Sequence, residues 1–92
     1  MNNFYLRFNR EIWQERELSL EQKLILNFVW NFEVKAGYCH ASDDYLSEVF
    51  GIPQYRILGI LNELKDLNLI KSKEEESRRF LAVNKTKYSI QE

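Results

Sequence analysis

The chain contains one cysteine and one histidine, Cys39 and His40, which are neighbours in the sequence. If this segment is a strand, the two side chains point to opposite faces and cannot act together as a nucleophile and its base. A zinc site needs further Cys or His ligands, and one cysteine cannot form an internal disulfide. The sequence therefore predicts no enzyme, no metal site, no cofactor and no small-molecule substrate. It also predicts a cytoplasmic chain that folds without covalent cross-links.

Charged side chains are the other groups able to recognise a partner, and the two signs are separated along the chain. The formal net charge is −1, whereas a DNA-binding module usually has a basic excess. Residues 42–66 contain five acidic and two basic side chains, and residues 71–87 contain six basic and three acidic ones. Neutralisation of phosphates supplies most non-specific affinity for DNA. Residues 42–66 alone are therefore expected to bind DNA weakly.

The elements that position these side chains begin with an N-terminal arm and a short helix, residues 1–18. Ninety-two residues fit a single domain, and no apolar run approaches the roughly 18 residues of a membrane span. Large apolar residues alternate over Phe4–Phe8, which indicates a strand or an extended arm. Asn9 is expected to cap a short helix that runs through Glu15 and turns Ile12 and Trp13 inward.

A long helix is predicted over residues 19–36. Ser19 and Gln22 have the spacing of a capping box, in which each side chain bonds the other residue's backbone amide. Apolar residues recur at helical spacing from Leu20 to Phe32 and require burial. Gly37 is the expected left-handed residue that ends the helix.

Two further helices, within residues 42–68, follow a short strand predicted at Tyr38–Ala41. Ser42 is a suitable cap for the first helix, and Gly51 is expected to end it with a sharp turn. The second helix is predicted to begin near Pro53, because a proline in the first turn loses no amide hydrogen bond.

The last predicted element is a β hairpin, residues 69–84. The strand-like runs are 69–73 and 79–83, and the polar residues 74–77 are expected to form the turn between them. Residues 85–92 continue as a basic tail.

Two segments carry a resemblance to winged helix-turn-helix domains: 41–52, ASDDYLSEVFGI, is similar to the first helix and turn, and 61–70, LNELKDLNLI, to the end of the recognition helix. Helices joined at Gly51–Ile52 and followed by a hairpin have the order of this family. The resemblance covers about residues 20–83. It is closest to phage and plasmid replication proteins, such as replisome organisers and replication initiators, in which a segment similar to residues 37–42, GYCHAS, follows a long helix.

This resemblance implies an α+β fold with a three-helix core and a small antiparallel β wing, and a function in binding double-stranded DNA during replication or transcription regulation. The third helix of such domains enters the major groove, so its outward side chains and the basic wing are expected to contact DNA. The candidate DNA-binding residues are Gln54, Tyr55, Arg56, Asn62, Lys71, Lys73, Arg78, Arg79 and Lys85. Two departures from the family pattern weaken this surface, because Leu58 stands where a small polar residue is common and Gly59 where an arginine is common.

The alternative function is binding to a protein, either as a homodimer or as a small phage-type inhibitor of a host protein. The helix predicted to begin near Pro53 has more apolar side chains than its core face needs. It also contains Gly59, and a glycine inside a helix costs about 1 kcal/mol relative to alanine, so a close approach of a partner is one reason for its presence. A glutamate-rich turn could also imitate nucleic acid. The candidate protein-interface residues are Tyr55, Leu58, Gly59, Ile60, Glu74, Glu75 and Glu76. Two purely structural roles stay open, in which Leu58 and Ile60 are half buried and the hairpin cations only prevent pairing between edge strands.

The helical and strand periodicities together predict one hydrophobic core. Its expected members are Trp13, Leu20, Leu24, Ile25, Phe28, Val29, Phe32, Leu46, Val49, Phe50, Ile57, Leu61, Leu64, Leu67, Ile70, Phe80 and Leu81.

Overall fold

The computed structural model describes residues 7–88, which form four helices and a two-stranded antiparallel sheet. The elements, in chain order, are α1 (Arg10–Trp13), α2 (Leu20–Ala36), α3 (Asp43–Phe50), α4 (Gln54–Asp66), β1 (Ile70–Glu75) and β2 (Arg78–Val83). The α+β class expected from the sequence is thereby confirmed. Most of the predicted N-terminal arm, and residues 89–92 of the predicted tail, lie outside the described residues.

The ends of α2 are determined by local sequence. Ser19 accepts a hydrogen bond from the backbone amide of Gln22, and the Gln22 side chain accepts one from the amide of Ser19, so the predicted capping box is confirmed. At the other end Gly37 has a φ of 87°, a left-handed conformation that glycine adopts without steric cost.

Helix α2 is buried on more than one face. Besides the predicted apolar stripe, Leu26 and Trp30 are buried on the side that also carries Asn27 and Asn31. The Asn27 side chain accepts a hydrogen bond from the amide of Asn9, at 2.8 Å, and donates one to a preceding backbone carbonyl. The Asn31 side chain accepts a hydrogen bond of 3.1 Å from a backbone amide of the same segment. The two buried asparagines therefore fasten the segment before α1 to the middle of α2.

Helices α3 and α4 are joined by a sharp turn, as the sequence predicts. The Ser42 hydroxyl accepts a hydrogen bond from the amide of Tyr45, and Gly51 ends α3 with a φ of 68°. Ile52 is buried, and Pro53 occupies the position just before α4. The apolar face of α4 packs Ile57, Ile60, Leu61 and Leu64 against the other helices, all of them fully buried.

The β hairpin pairs Ile70 with Val83 at its base and Glu75 with Arg78 at its tip. The turn comprises only Glu76 and Ser77, both with positive φ, so it is shorter than the predicted turn over 74–77. The strand predicted at Tyr38–Ala41 is reduced to a single bridge, in which Cys39 and Leu81 exchange two backbone hydrogen bonds. This bridge nevertheless gives the sheet a third row of side chains.

The core is continuous from α1 to the end of the described chain. Its fully or nearly fully buried apolar members are Ile12, Leu18, Ile25, Leu26, Phe28, Val29, Trp30, Cys39, Leu46, Ile52, Ile57, Ile60, Leu61, Leu64, Leu69, Ile70, Leu81, Val83 and Tyr88. Six predicted core residues are only half-buried: Trp13, Leu24, Phe32, Val49, Phe50 and Phe80.

Two core predictions are wrong. Leu20 is 65% exposed, because the first turn of α2 faces α4 with Glu21 and Gln22 instead. Leu67 is also exposed, because α4 has ended and the chain reverses at Asn68, which has a φ of 62°.

A buried carboxylate joins α2 to the hairpin. Glu33 is almost completely buried and accepts a hydrogen bond of 2.7 Å from the amide of Val83, the last residue of β2. The Lys85 ammonium lies 3.6 Å from its other carboxylate oxygen. The periodicity of α2 marks Glu33 as a surface position, so this contact follows only from where β2 ends.

No helix within residues 7–88 is long and apolar enough to cross a membrane.

Candidate nucleic-acid interface

The hairpin has two unlike faces because side chains alternate along each strand. Ile70, Leu81 and Val83 point into the core, and the alternate residues point away from it. The Cys39–Leu81 bridge extends this second face, since Cys39 is buried and its neighbours Tyr38 and His40 therefore point outward. We call this surface the outer face; its side chains are Tyr38, His40, Lys71, Lys73, Glu75, Arg78 and Phe80.

Three of the predicted DNA contacts, Lys71, Lys73 and Arg78, lie on the outer face and are exposed. Lys73 forms an ion pair of 2.9 Å with Glu75, but both side chains are more than half exposed. Such a pair contributes little free energy, so phosphate can compete for the lysine. Within residues 7–88, neither Lys71 nor Arg78 has an ion-pair partner, which leaves the outer face with a cationic excess.

Arg79 points to the opposite side of the hairpin and has a structural contact. Its guanidinium donates hydrogen bonds of 2.6 Å to the Asp43 carboxylate and to the carbonyl oxygen of Ala41. The side chain of Arg79 is only 21% exposed. Arg79 therefore ties β2 to the start of α3, and this predicted DNA contact is engaged within the domain.

Gln54 and Arg56, the two polar DNA-binding candidates at the start of α4, also have side-chain partners within the domain. Arg56 forms an ion pair of 2.8 Å with Glu21 of α2, and Gln54 donates a hydrogen bond of 2.8 Å to Asp44 of α3. The hydrogen bond that Arg56 donates to Glu21, together with the carboxylate charge, raises the pKa of Arg56. The guanidinium stays charged, but its charge is largely neutralised by its neighbour.

The outward stripe of α4 comprises Tyr55, Leu58, Gly59 and Asn62. Tyr55 is 80% exposed and Leu58 is 48% exposed, and no member of the stripe carries a charge. Asn62 is exposed and retains the ability to bind a base edge. Ile60, a candidate for the protein interface, is fully buried instead, so it belongs to the core.

The three consecutive glutamates do not share one surface. Glu74 pairs in register with Arg79 on the side away from the outer face, Glu75 contacts Lys73, and Glu76 occupies the turn. This division disfavours an acidic imitation of a nucleic-acid backbone, because no continuous row of carboxylates forms. Lys85, the last DNA-binding candidate, lies beside Glu33 outside the hairpin.

A cleft of about 710 Å³ separates the hairpin tip from the starts of α3 and α4. It is lined by His40, Ala41, Ser42, Asp43, Asp44, Gln54, Glu74, Ser77, Arg78 and Arg79. Three carboxylates and two guanidiniums give this cleft no net attraction for phosphate. Within residues 7–88, no group of three His, Cys, Asp or Glu side chains is placed to hold a metal ion.

Sequence reasoning missed the aromatic part of the outer face. Tyr38 is 45% exposed, and its ring centroid lies 5.2 Å from that of Phe80 and 5.5 Å from that of His40. The sequence predicts both Phe80 and Leu81 in the core, but side chains alternate along β2 and only Leu81 points inward. Strand alternation shows that Phe80 and Leu81 point to opposite faces. It does not show which of the two faces the core until the direction of one side chain is known.

No family model, curated protein or solved structure matches the chain.

Proposed function

We propose that the chain is a winged-helix module that binds double-stranded DNA, as part of a phage- or plasmid-type replication protein or transcriptional regulator, and that the hairpin supplies the principal contacts. The observation that carries the proposal is the exposed cationic group Lys71, Lys73 and Arg78 on the outer face. The succession of α3, a sharp turn at Gly51, α4 and a hairpin supports the winged-helix assignment.

Two other cationic candidates, Arg56 and Arg79, form ion pairs inside the domain and are assigned a structural role instead of a DNA contact. Arg56 and Arg79 each have a carboxylate partner within 3 Å, so DNA would have to displace that partner before gaining a contact. Within residues 7–88 Lys71 has no such partner, and the Lys73–Glu75 pair is more than half exposed and therefore weak. Affinity is therefore expected to come from phosphates and to show little dependence on sequence, with Asn62 and Tyr55 as the residues available for base edges.

The test is the salt dependence of binding to a labelled DNA duplex, measured by fluorescence anisotropy. Each phosphate contact contributes about 0.9 to the slope of log affinity against log salt concentration. The double variant Lys71→Ala/Arg78→Ala is expected to lower this slope by about 2 and to weaken binding at low salt.

A matched control is the double variant Arg10→Ala/Arg16→Ala, which removes two exposed cations outside the hairpin. It should retain the parental slope. Absence of duplex binding by the parent at low salt, or equal losses in the two double variants, would contradict the proposal.

A second candidate function is homodimerisation through the outward stripe of α4. It is favoured by the exposure of Tyr55 and Leu58 beside Gly59, since exposed apolar side chains next to each other are typical of protein interfaces. Sedimentation equilibrium of the parent and of Leu58→Asp tests it. A dimer that this substitution dissociates supports the second function, and a parent that stays monomeric at high concentration excludes it.

A further inference from the structure

The outer face carries aromatic rings beside cations. A DNA duplex offers phosphates to the cations but no exposed base face to the rings. Tyr38, Phe80 and His40 form a contiguous group, with Tyr38 and Phe80 in edge-to-face contact at an interplanar angle of 74°. These rings lie on the side of the sheet away from the core, so burial of the core does not explain them. Rings left half exposed on one face are available to a partner.

The cations lie next to these rings in the strand register. Lys73 is directly opposite Phe80, and Lys71 is opposite Ala82, nearer the hairpin base. Adjacent strands are about 4.8 Å apart, so the lysines form a row one strand away from Phe80 and two strands away from Tyr38. The surface therefore presents a stacking site on one side and a positive row parallel to it.

This arrangement has the two properties needed to bind an unpaired strand. Base–aromatic stacking requires the flat face of a base, and a positively charged surface follows the phosphates. In a duplex the base faces are covered by their neighbours, and only the base edges are open in the grooves. The rings would gain nothing from duplex DNA, whereas the lysines would serve either form.

We propose that the outer face binds single-stranded DNA, with a base stacked on Tyr38, whose ring is supported edge-to-face by Phe80, and the adjoining phosphates at Lys71 and Lys73. The proposal rests on the proposed function, because it assigns a preferred form of DNA to the same hairpin. An acidic protein segment would use the lysines but would leave the rings without a role, so nucleic acid is the better match.

The test compares binding of a labelled oligothymidine and of a duplex to the parent, Tyr38→Ala and Phe8→Ala. Phe8 is a matched control, because it is 67% exposed, forms an edge-to-face pair with Trp13 at 5.3 Å and lies before α1, outside the outer face. Tyr38→Ala is expected to weaken oligothymidine binding at least about fivefold and to leave duplex binding unchanged. Tyr38→Trp should restore the affinity for oligothymidine, and Phe8→Ala should leave both affinities at the parental value.

The outcomes separate this inference from the proposed function. Equal oligothymidine affinity in the parent and Tyr38→Ala overturns the inference alone, provided that duplex binding persists. Loss of duplex binding in every protein, with oligothymidine binding retained and sensitive to Tyr38, overturns only the duplex function. Tighter binding of oligouridine than of oligothymidine, or equal competition by polyglutamate of matched charge, overturns the assignment to single-stranded DNA. Thermal melting of each variant verifies that it is folded.

Discussion

The contact between Tyr88 and Glu15 connects the two ends of the described chain at the level of single residues. The buried Tyr88 hydroxyl donates a hydrogen bond of 2.6 Å to the Glu15 carboxylate, and the Lys87 ammonium lies 3.2 Å from the same oxygen. The hydrogen bond from Tyr88 lowers the pKa of Glu15, against a smaller opposing effect of burial. Burial, followed by the hydrogen bond to Glu15, raises the pKa of Tyr88.

These directions predict how Tyr88→Phe alters stability with pH. A carboxylate whose pKa is lowered on folding adds stability above its usual pKa of 4.5, and this contribution is lost as the pH falls through the lower, folded-state pKa. A phenol whose pKa is raised adds stability that is complete below its usual value and disappears at alkaline pH. The difference in unfolding free energy between parent and Tyr88→Phe should therefore be greatest between about pH 5 and 9, at about 1 kcal/mol.

Urea denaturation of the two proteins at a series of pH values measures this difference. It should shrink towards zero in acid, as Glu15 becomes protonated. A difference that stays constant down to about pH 2, below the usual range of carboxyl pKa values, would contradict the role assigned to the hydrogen bond.

At the scale of elements, two glycines offer a matched pair of alanine substitutions. Gly51 has a positive φ at the end of α3, whereas Gly59 lies within α4, and an added Cβ would meet no atom within 4 Å at either position. An alanine side chain therefore causes no steric clash at either position. The backbone conformation alone determines whether the substitution raises or lowers the free energy of unfolding. Gly51→Ala should lower the free energy of unfolding by about 1 kcal/mol, and Gly59→Ala should raise it by up to about 1 kcal/mol.

Thermal or urea unfolding of both variants checks this prediction. Stabilisation by Gly51→Ala would show that the turn between α3 and α4 does not require the left-handed conformation. Destabilisation by Gly59→Ala would show that the glycine is needed for a close approach.

Helix ends were predictable from the sequence because their determinants are local. Ser19, Gly37, Ser42 and Gly51 act on amides and carbonyls within a few residues, and the structure places a cap at each of them. The bounds of the hairpin turn are less predictable, because Glu76 and Ser77 adopt positive φ without the glycine or asparagine that usually marks such a turn.

The candidate site was less predictable, because its contacts join distant parts of the chain. Arg56 and Glu21 are 35 residues apart, and Arg79 and Asp43 are 36 apart. The sequence positions of the cations do not distinguish those with an internal partner from those facing solvent. That distinction depends on how α4 packs on α2 and on how the hairpin lies against the start of α3.

At the scale of the whole molecule, the loss of stability on truncating a side chain should depend on how deeply that side chain is buried, not on how hydrophobic it is. Leu61 is fully buried in α4, and Leu20 is 65% exposed at the start of α2. Leu61→Ala is expected to lower the unfolding free energy by about 3 kcal/mol, whereas Leu20→Ala should change it by less than about 0.5 kcal/mol.

Calorimetry of the two variants provides the measurement. For a domain of this size a loss of about 3 kcal/mol lowers the melting temperature by more than about 10 °C. Equal melting temperatures for Leu61→Ala and the parent, or a large decrease for Leu20→Ala, would refute this placement of the core.

The buried position of Cys39 gives the domain an internal reporter. This residue is 1% exposed and forms the bridge with Leu81, and burial raises the pKa of the Cys39 thiol. Because a thiolate is the species that attacks a disulfide reagent, the folded chain must open around this strand before labelling can occur. The chain has no other sulfhydryl. The labelling rate under native conditions therefore reports how often this side of the sheet separates, without an engineered cysteine.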